Sequence, residues 1–160
     1  ICACLVGSEM CIRDRRLPEV HFTLVGPVGR EIQEMEGLPN VLLVGEQKAE
    51  KVFEYYQTAD VYLFPSYTEG FSLSLLEAMA CGLPCIATDV GANGDMLEDK
   101  GGIIVPVKNV DAIIDAFEKL EDNNIRKDIS NWNIEKVKNN YTRTSVLDEI
   151  MDIYNKMVYK

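Results

Sequence analysis

The sequence contains one histidine, few basic residues and no long apolar run, and each of these scarcities excludes a class of function. Its 16 Lys and Arg residues are outnumbered by 26 Asp and Glu residues, which gives a formal net charge of -10. Because nucleic acids and anionic membranes are bound through clusters of basic side chains, neither is an expected partner. No stretch approaches the roughly 18 apolar residues of a membrane-spanning helix, and the first residues do not follow a secretory signal pattern. We therefore expect a cytoplasmic protein without a transmembrane segment.

The five cysteines do not form a metal-binding pattern. A zinc site needs paired C-x-x-C spacings or several histidines, but no such pair occurs and His21 is the only histidine. Cys81 and Cys85 flank the stretch "CGLPC", where we expect two buried, reduced thiols at a helix-to-strand turn. The sequence therefore predicts no metal site.

The opening stretch "ICACLVGSEMCIRDR" follows neither a helical nor a strand period. It resembles the conceptual translation of a sequencing-library adapter, so we interpret residues 1–15 as non-native and exclude them from fold prediction. Native sequence is then expected from Arg16. We predict one domain over residues 16–143, incomplete at its N-terminus, followed by a C-terminal helix over residues 144–160.

Beyond Arg16, short apolar runs alternate with amphipathic stretches. Because the runs are almost wholly apolar, they predict parallel strands buried on both faces, as in a doubly wound, Rossmann-like α/β sheet. The predicted strands are "VHFTLVG" (Val20–Gly26), "NVLLVG" (Asn40–Gly45), "DVYLFP" (60–65), "PCIAT" (84–88) and "GGIIVP" (101–106). A loop is expected at "GANGDML" before the last of these strands.

Apolar residues at helical spacing predict helices at "GREIQEME", over 48–59, from about Ser72 to Cys81, over 109–122 and over 144–160. Trp132 and Tyr141 are expected to anchor the C-terminal helices to the core. Two apolar stripes are predicted to pack in the core: Ile113, Ile114, Phe117 and Leu120, and then Val146, Ile150, Ile153 and Met157.

Two glutamates stand out in the loop and helix that follow the third predicted strand. Glu69 lies in the loop, and Glu77 lies five residues into the helix. Orphan amides and the positive end of the dipole make the start of that helix an anion site, and carboxylates on either side suit hydroxyl-rich ligands. Two solvated surface charges, or a glycosidase acid/base pair, remain alternative interpretations. The single "GPVG" is too weak a pattern to indicate a dehydrogenase.

The stretch "PSYTEGFSLSLLEAMACGLPCIATDVGANGDML", with "ADVYLFP" before it and "GGIIVP" after it, carries a resemblance to a known family. It resembles the donor-binding half of retaining glycosyltransferases of the GT-B fold, of group 1 and glycosyltransferase family four. The resemblance covers about Val20 to Tyr154 and implies the C-terminal half of a GT-B fold. In that family the last helix crosses to the other domain, so an apolar patch on the helix over 144–160 is predicted to be left bare in this chain and to promote association.

In that family the first glutamate contacts the transferred sugar, the amides after it hold the diphosphate, and the second glutamate binds the ribose. The resemblance therefore implies that Glu69 is the catalytic residue that grips the donor sugar, and that Glu77 binds ribose. The diphosphate-binding amides are expected from Gly70, Phe71, Ser72 and Leu73.

Two glycines complete the donor site that the resemblance implies. Gly26 matches a glycine at the mouth of the nucleotide cleft, and the loop "GEQK", which begins at Gly45, matches the segment near the base. Ser72 departs from the family pattern, which has glycine there, and adds a side chain where the backbone approaches the donor. The family's first strand, with the basic residues that neutralise the donor phosphates, would lie before Arg16.

The activity implied is transfer of a sugar from a nucleotide diphosphate sugar to an acceptor with retention of configuration and without a metal cofactor. Its partners would be the donor and an absent N-terminal acceptor-binding domain, through which peripheral attachment to the inner membrane would occur. The chain alone is expected to be inactive. A nucleotide-sugar epimerase of similar fold and a non-catalytic nucleotide-sugar binding module are the alternatives.

Overall fold

The computed structural model of the chain describes residues 17–27, 29, 33 and 35–158, in which parallel strands alternate with helices. The strands are β1 (Phe22–Val25), β2 (Val41–Gly45), β3 (Tyr62–Phe64), β4 (Cys85–Thr88) and β5 (Gly102–Val105). The helices are α1 (Ala49–Thr58), α2 (Leu73–Ala80), α3 (Asn93–Leu97), α4 (Val110–Lys119), α5 (Asn123–Asn140) and α6 (Arg143–Val158).

The strands form two parallel sheets that share one core. β1 pairs with β2, and β4 lies between β3 and β5, with Ile86 opposite Leu63 on one side and Ile103 on the other. Phe22 of β1 packs in the same apolar cluster as Leu63 and Ile86 of the second sheet. Parallel sheets flanked by helices confirm the predicted Rossmann-like α/β class.

Burial differs between the two sheets. Every residue of β3 and β4 is buried, which confirms the expectation of strands covered on both faces. The prediction of a buried second strand is wrong for β2, in which Leu42 is 58% exposed. Within the described residues β2 pairs only with β1, so it lies at an edge where one face and one side are less covered.

The end of α2 shows how local sequence sets an element boundary. Gly82 follows the helix with φ of +76°, its amide donates to Met79 O, and the amide of Leu83 donates to Ala78 O. These two bonds form a Schellman motif, which requires the left-handed conformation that glycine adopts without strain. The predicted helix over Ser72–Cys81 is confirmed, with those two residues as its caps.

Two predictions of local structure are wrong. The stretch "GANGDML", expected as a loop, contains the five-residue helix α3, which is too short to show a helical period. The helix predicted to continue to Asp122 ends at Lys119, because Asp122 instead caps α5 by accepting from the Asn124 amide. The helix predicted at "GREIQEME" falls largely outside the described residues.

The two predicted core stripes have opposite outcomes. The stripe of α4 is buried as predicted, and Trp132 and Tyr141 pack against the core. Core packing of the C-terminal stripe is wrong: its four members on α6 are between 40% and 75% exposed, because no described element covers them. Their exposure agrees with the bare apolar patch that the resemblance implies for this helix. No helix within the described ranges is both long and apolar enough to cross a membrane.

The two described cysteines are free thiols, and the expected burial is confirmed for Cys85 but wrong for Cys81. Cys85 is fully buried, and burial raises the pKa of its thiol far above the usual range. Cys81 is half-buried; desolvation, and to a lesser extent the nearby Glu77 carboxylate, raise the pKa of its thiol. Both thiols are therefore poor nucleophiles at neutral pH. Cys2, Cys4 and Cys11 lie outside the described residues.

Candidate functional site

The predicted site residues lie in loops that follow the carboxyl ends of parallel strands. Gly26 follows β1, Gly45 ends β2, and Glu69 lies in the loop between β3 and α2. In sheets of this class ligands bind beyond the carboxyl ends of the strands, so the observed topology puts these residues at the edge where a ligand is expected.

The side chain of Glu69 is held by a buried serine three residues earlier. Ser66 is 5% exposed, and its hydroxyl lies 3.0 Å from Glu69 Oε1 and 3.1 Å from Thr68 O. Glu69 itself is half-buried, so its carboxylate combines a fixed internal contact with access to solvent.

The backbone of Glu69 is held by the loop that follows β4. The amide of Ala92 donates to Gly70 O at 2.9 Å. Gly91 has φ of +54°, and a Cβ at this position would lie 2.4 Å from Glu69 O and 2.6 Å from Gly70 O. Only glycine allows this approach, so the loops after β3 and β4 are joined at the carbonyls of Glu69 and Gly70.

Ser72 caps α2 with its side chain turned inward. Its hydroxyl accepts from the Leu75 amide at 3.3 Å and lies 3.1 Å from the Ser74 hydroxyl, and the residue is 4% exposed. Serine replaces the family's glycine at this position, but its side chain therefore does not extend into solvent at the start of the helix. A serine cap satisfies one of the orphan amides that begin the helix.

Most residues at the opening of α2 are exposed, and the first turn of the helix contains no acidic residue. Gly70, Phe71 and Leu73 are all exposed, and no acidic residue occurs among 73–76. The first amides of a helix have no carbonyl partner within it, and the helix dipole adds partial positive charge there. This end of α2 can therefore accept an anion without a basic side chain.

Glu77 lies four residues after Leu73, so the two residues share one face of α2. Both are exposed, whereas Leu75, Ala78 and Met79 of the same helix are buried. The carboxylate of Glu77 is thus presented to solvent one turn beyond the opening that Glu69 precedes.

The two predicted glycines lie together. The Gly26 amide donates to Gly45 O at 3.0 Å, and the two residues have φ of +148° and +77°. A Cβ at either would meet no described atom within 4 Å, so glycine is needed for the backbone conformation and not for space. The structure brings these two residues together at the ends of β1 and β2.

Sequence reasoning missed four residues that shape the Glu69 loop: Ser66, Thr88, Gly91 and Asn93. Thr88 Oγ1 donates to Ser66 O at 2.6 Å, and Asn93 Nδ2 donates to Thr88 O at 3.0 Å. Only Ser66 had a local signal, since it lies three residues before Glu69. In the part of the chain that the structure describes, no three His, Cys, Asp or Glu side chains form a group that would hold a metal ion.

Comparison with known proteins gives a family and a fold. The family model for glycosyl transferases group 1 matches residues 8–123, a range that includes residues 8–15 of the segment set aside as non-native. A D-inositol 3-phosphate glycosyltransferase of Mycobacteroides abscessus is 32% identical over 129 residues, covering 72% of this chain and 29% of that protein. The chain spans less than a third of the length of the curated relatives it matches.

Solved structures share the fold at low identity. A sucrose-phosphate synthase from Thermosynechococcus elongatus superimposes with a TM-score of 0.81 at 24% identity, over 98% of this chain and 45% of that one. The Anabaena protein HepE, in complex with UDP, gives 0.79 at 15% identity, over 97% and 48%. With the family match over residues 8–123, these findings show that the chain belongs to the group 1 glycosyl transferases, as the Rossmann-like C-terminal domain of their GT-B fold.

Proposed function

We propose that this chain is the donor-binding domain of a glycosyltransferase that transfers a sugar from a nucleoside diphosphate sugar with retention of configuration. The observation that carries the proposal is the position of Glu69 directly before the exposed opening of α2, with Glu77 on the exposed face of the same helix. An anion site between two carboxylates suits a ligand that has a diphosphate in the middle and hydroxyl-bearing rings at both ends.

The diphosphate is assigned to the amides of residues 70–73. As the bond to the sugar breaks, negative charge grows on the leaving phosphate, and amides that are already oriented stabilise this charge without reorganising. The proposed mechanism therefore uses no metal ion. The side chain of Ser72 is turned inward, and Gly70, Phe71 and Leu73 on either side of it are exposed.

The two carboxylates are assigned to the two ends of the donor. Glu69 accepts hydrogen bonds from the transferred sugar, and Glu77 accepts from the ribose hydroxyls; both bonds are charge-assisted and so stronger than neutral ones. Gly26 and Gly45 form the side of the cleft nearer the base. The complex of HepE with UDP supports uridine diphosphate as the first ligand to test.

A binding experiment on the chain tests the donor site. Isothermal titration with UDP, GDP and ADP should detect one diphosphate that binds, and Glu77→Ala should weaken it by about tenfold or more because a charge-assisted bond is lost. Glu118→Ala, which removes an exposed glutamate from α4, is the matched control and should bind as the unmodified chain does. Equal affinity of the Glu77 and Glu118 variants would contradict the assignment.

Transfer is expected to require the acceptor-binding part of the full-length protein. There, Glu69→Ala should lower turnover more than it lowers donor affinity, and the anomeric configuration of the product, read by NMR, should match that of the donor. Interconversion of nucleotide sugars without an acceptor would instead indicate an epimerase. Donor binding with no release of nucleotide in the full-length protein would indicate a binding module.

A further inference from the structure

We propose that Ser66, Thr88 and Asn93 form a buried hydrogen-bonded chain that positions the carboxylate of Glu69 for the donor sugar. This inference rests on the proposed function and assigns positioning roles to three residues outside the donor contacts. They are 5%, 1% and 0% exposed. Burying a polar side chain costs free energy unless its hydrogen bonds are made. Three buried polar side chains linked to one carboxylate therefore suggest that the linkage has a role at that carboxylate.

The chain runs from the protein interior to the site. Asn93 Nδ2, at the start of α3, donates to Thr88 O at 3.0 Å. Thr88 Oγ1, at the end of β4, donates to Ser66 O at 2.6 Å, and Ser66 Oγ in turn lies 3.0 Å from Glu69 Oε1. The orientation of the carboxylate is thereby linked to the ends of β3 and β4, the two strands whose residues are all buried.

The last link is suited to a carboxylate that must also bind a ligand. Ser66 has one hydroxyl hydrogen and two acceptors in reach, Glu69 Oε1 at 3.0 Å and Thr68 O at 3.1 Å. If Glu69 shifts toward the sugar, the hydrogen turns to Thr68 O and the buried hydroxyl keeps a partner. Contact through Oε1 also leaves Oε2 to accept from a sugar hydroxyl.

Backbone and side chain of Glu69 are restrained separately. Gly91 packs against the carbonyls of Glu69 and Gly70 and the Ala92 amide donates to Gly70 O, whereas Ser66 contacts the Glu69 side chain. Loss of the Ser66 hydroxyl should therefore free the carboxylate while the loop keeps its path. A purely structural role for Ser66 predicts the reverse, namely lower stability with an unchanged Glu69 side chain.

The first test is made on the chain without any ligand. Three-bond NMR couplings should report one χ1 rotamer for Glu69 in the unmodified chain and averaged rotamers in Ser66→Ala. Ser130→Ala, which removes a half-buried hydroxyl from α5, should leave the Glu69 couplings unchanged. Identical couplings in the unmodified chain and in Ser66→Ala would overturn the proposal. If Ser66→Ala does not fold, Thr88→Val, which removes the preceding link, is measured in its place with the same two readings.

The second test uses turnover by the full-length protein. Ser66→Ala should lower kcat by about tenfold, the effect of one charge-assisted hydrogen bond, while the KM for the donor changes less than about twofold. Ser66→Thr keeps the hydroxyl and should recover most of the loss. In a Glu69→Ala background, Ser66→Ala should have no further effect, because the group it positions is gone.

The two proposals fail in different ways. Multiplicative losses from Ser66→Ala and Glu69→Ala would overturn the positioning role. Full turnover in Glu69→Ala would overturn the site assignment of the proposed function, and the NMR couplings would still decide whether Ser66 holds that carboxylate.

Discussion

Helices α4 and α6 carry the same kind of apolar stripe but have opposite surroundings. Ile113 and Phe117 of α4 are 2% and 3% exposed, and they pack in the core with Phe22 and Leu63. Ile150 and Met157 of α6 are 54% and 75% exposed. Helical spacing determines which residues share a face, but it carries no information about what covers that face.

The comparison separates a packed part of the molecule from a bare one. The packed part contains β3, α2, β4 and the loops that hold Glu69, and the bare part is the apolar face of α6. A site that depends on fixed geometry is expected in the packed part, because side chains there lie in single, well-defined arrangements.

The largest expected effect comes from matched isoleucines in the two helices. Ile113→Ala should lower the free energy of unfolding by about 2–5 kcal/mol, because it leaves a cavity in the core. Ile153→Ala, at a position that is 51% exposed, should lower it by less than about 0.5 kcal/mol. Chemical denaturation measures both, and similar losses for the two variants would contradict the difference in burial.

The second prediction concerns Gly91, which lies in the packed part of the molecule. Gly91→Ala would place a Cβ 2.4 Å from Glu69 O, so we expect a loss of about 1–3 kcal/mol in the free energy of unfolding together with weaker UDP binding. In Gly70→Ala the new Cβ would meet no described atom within 4 Å, so stability should change little. Thermal unfolding of the two variants decides the matter: if Gly91→Ala is as stable as Gly70→Ala, the two loops are not joined as described.

The bare face of α6 should make the isolated chain self-associate. Sedimentation velocity over a range of concentrations should detect association, and Ile150→Glu combined with Met157→Glu should weaken it at least tenfold, which is about 1.4 kcal/mol. Leu42→Glu, at an exposed apolar position on β2, is the control and should have little effect. A chain that stays monomeric at the highest concentration would show that the face does not bind a second copy.

Much of the fold could be predicted from the sequence because its signals are local. The apolar run at Cys85–Thr88 predicts a buried strand, and Gly82 predicts the end of α2 through a conformation that needs no distant residue. Prediction failed for two kinds of reason. The exposure of β2 depends on which distant strands pair with it. By contrast, α3 is too short to show a helical period, and the cap that Asp122 forms is a local signal that the prediction overlooked.

Some residues of the candidate site could be predicted from the sequence, and others could not. Glu69, Glu77 and the helix start between them could be located from spacing and from the chemistry of helix ends. The residues that hold Glu69 could not: Thr88 is 22 residues from Ser66 along the chain, and Gly91 has a role only because another loop passes against it.

The sequence by itself determined the five strands and most of the helices, and it indicated the edge of the sheet where a ligand is expected and the residues there with donor or acceptor chemistry. These follow from periodicity, capping and turn formation, which act between residues that are near in the chain. Only the tertiary structure decided that Ser66, Thr88, Asn93 and Gly91 converge on Glu69. Burial and hydrogen-bond partnership depend on which distant segments meet, and that is a property of the packed chain as a whole.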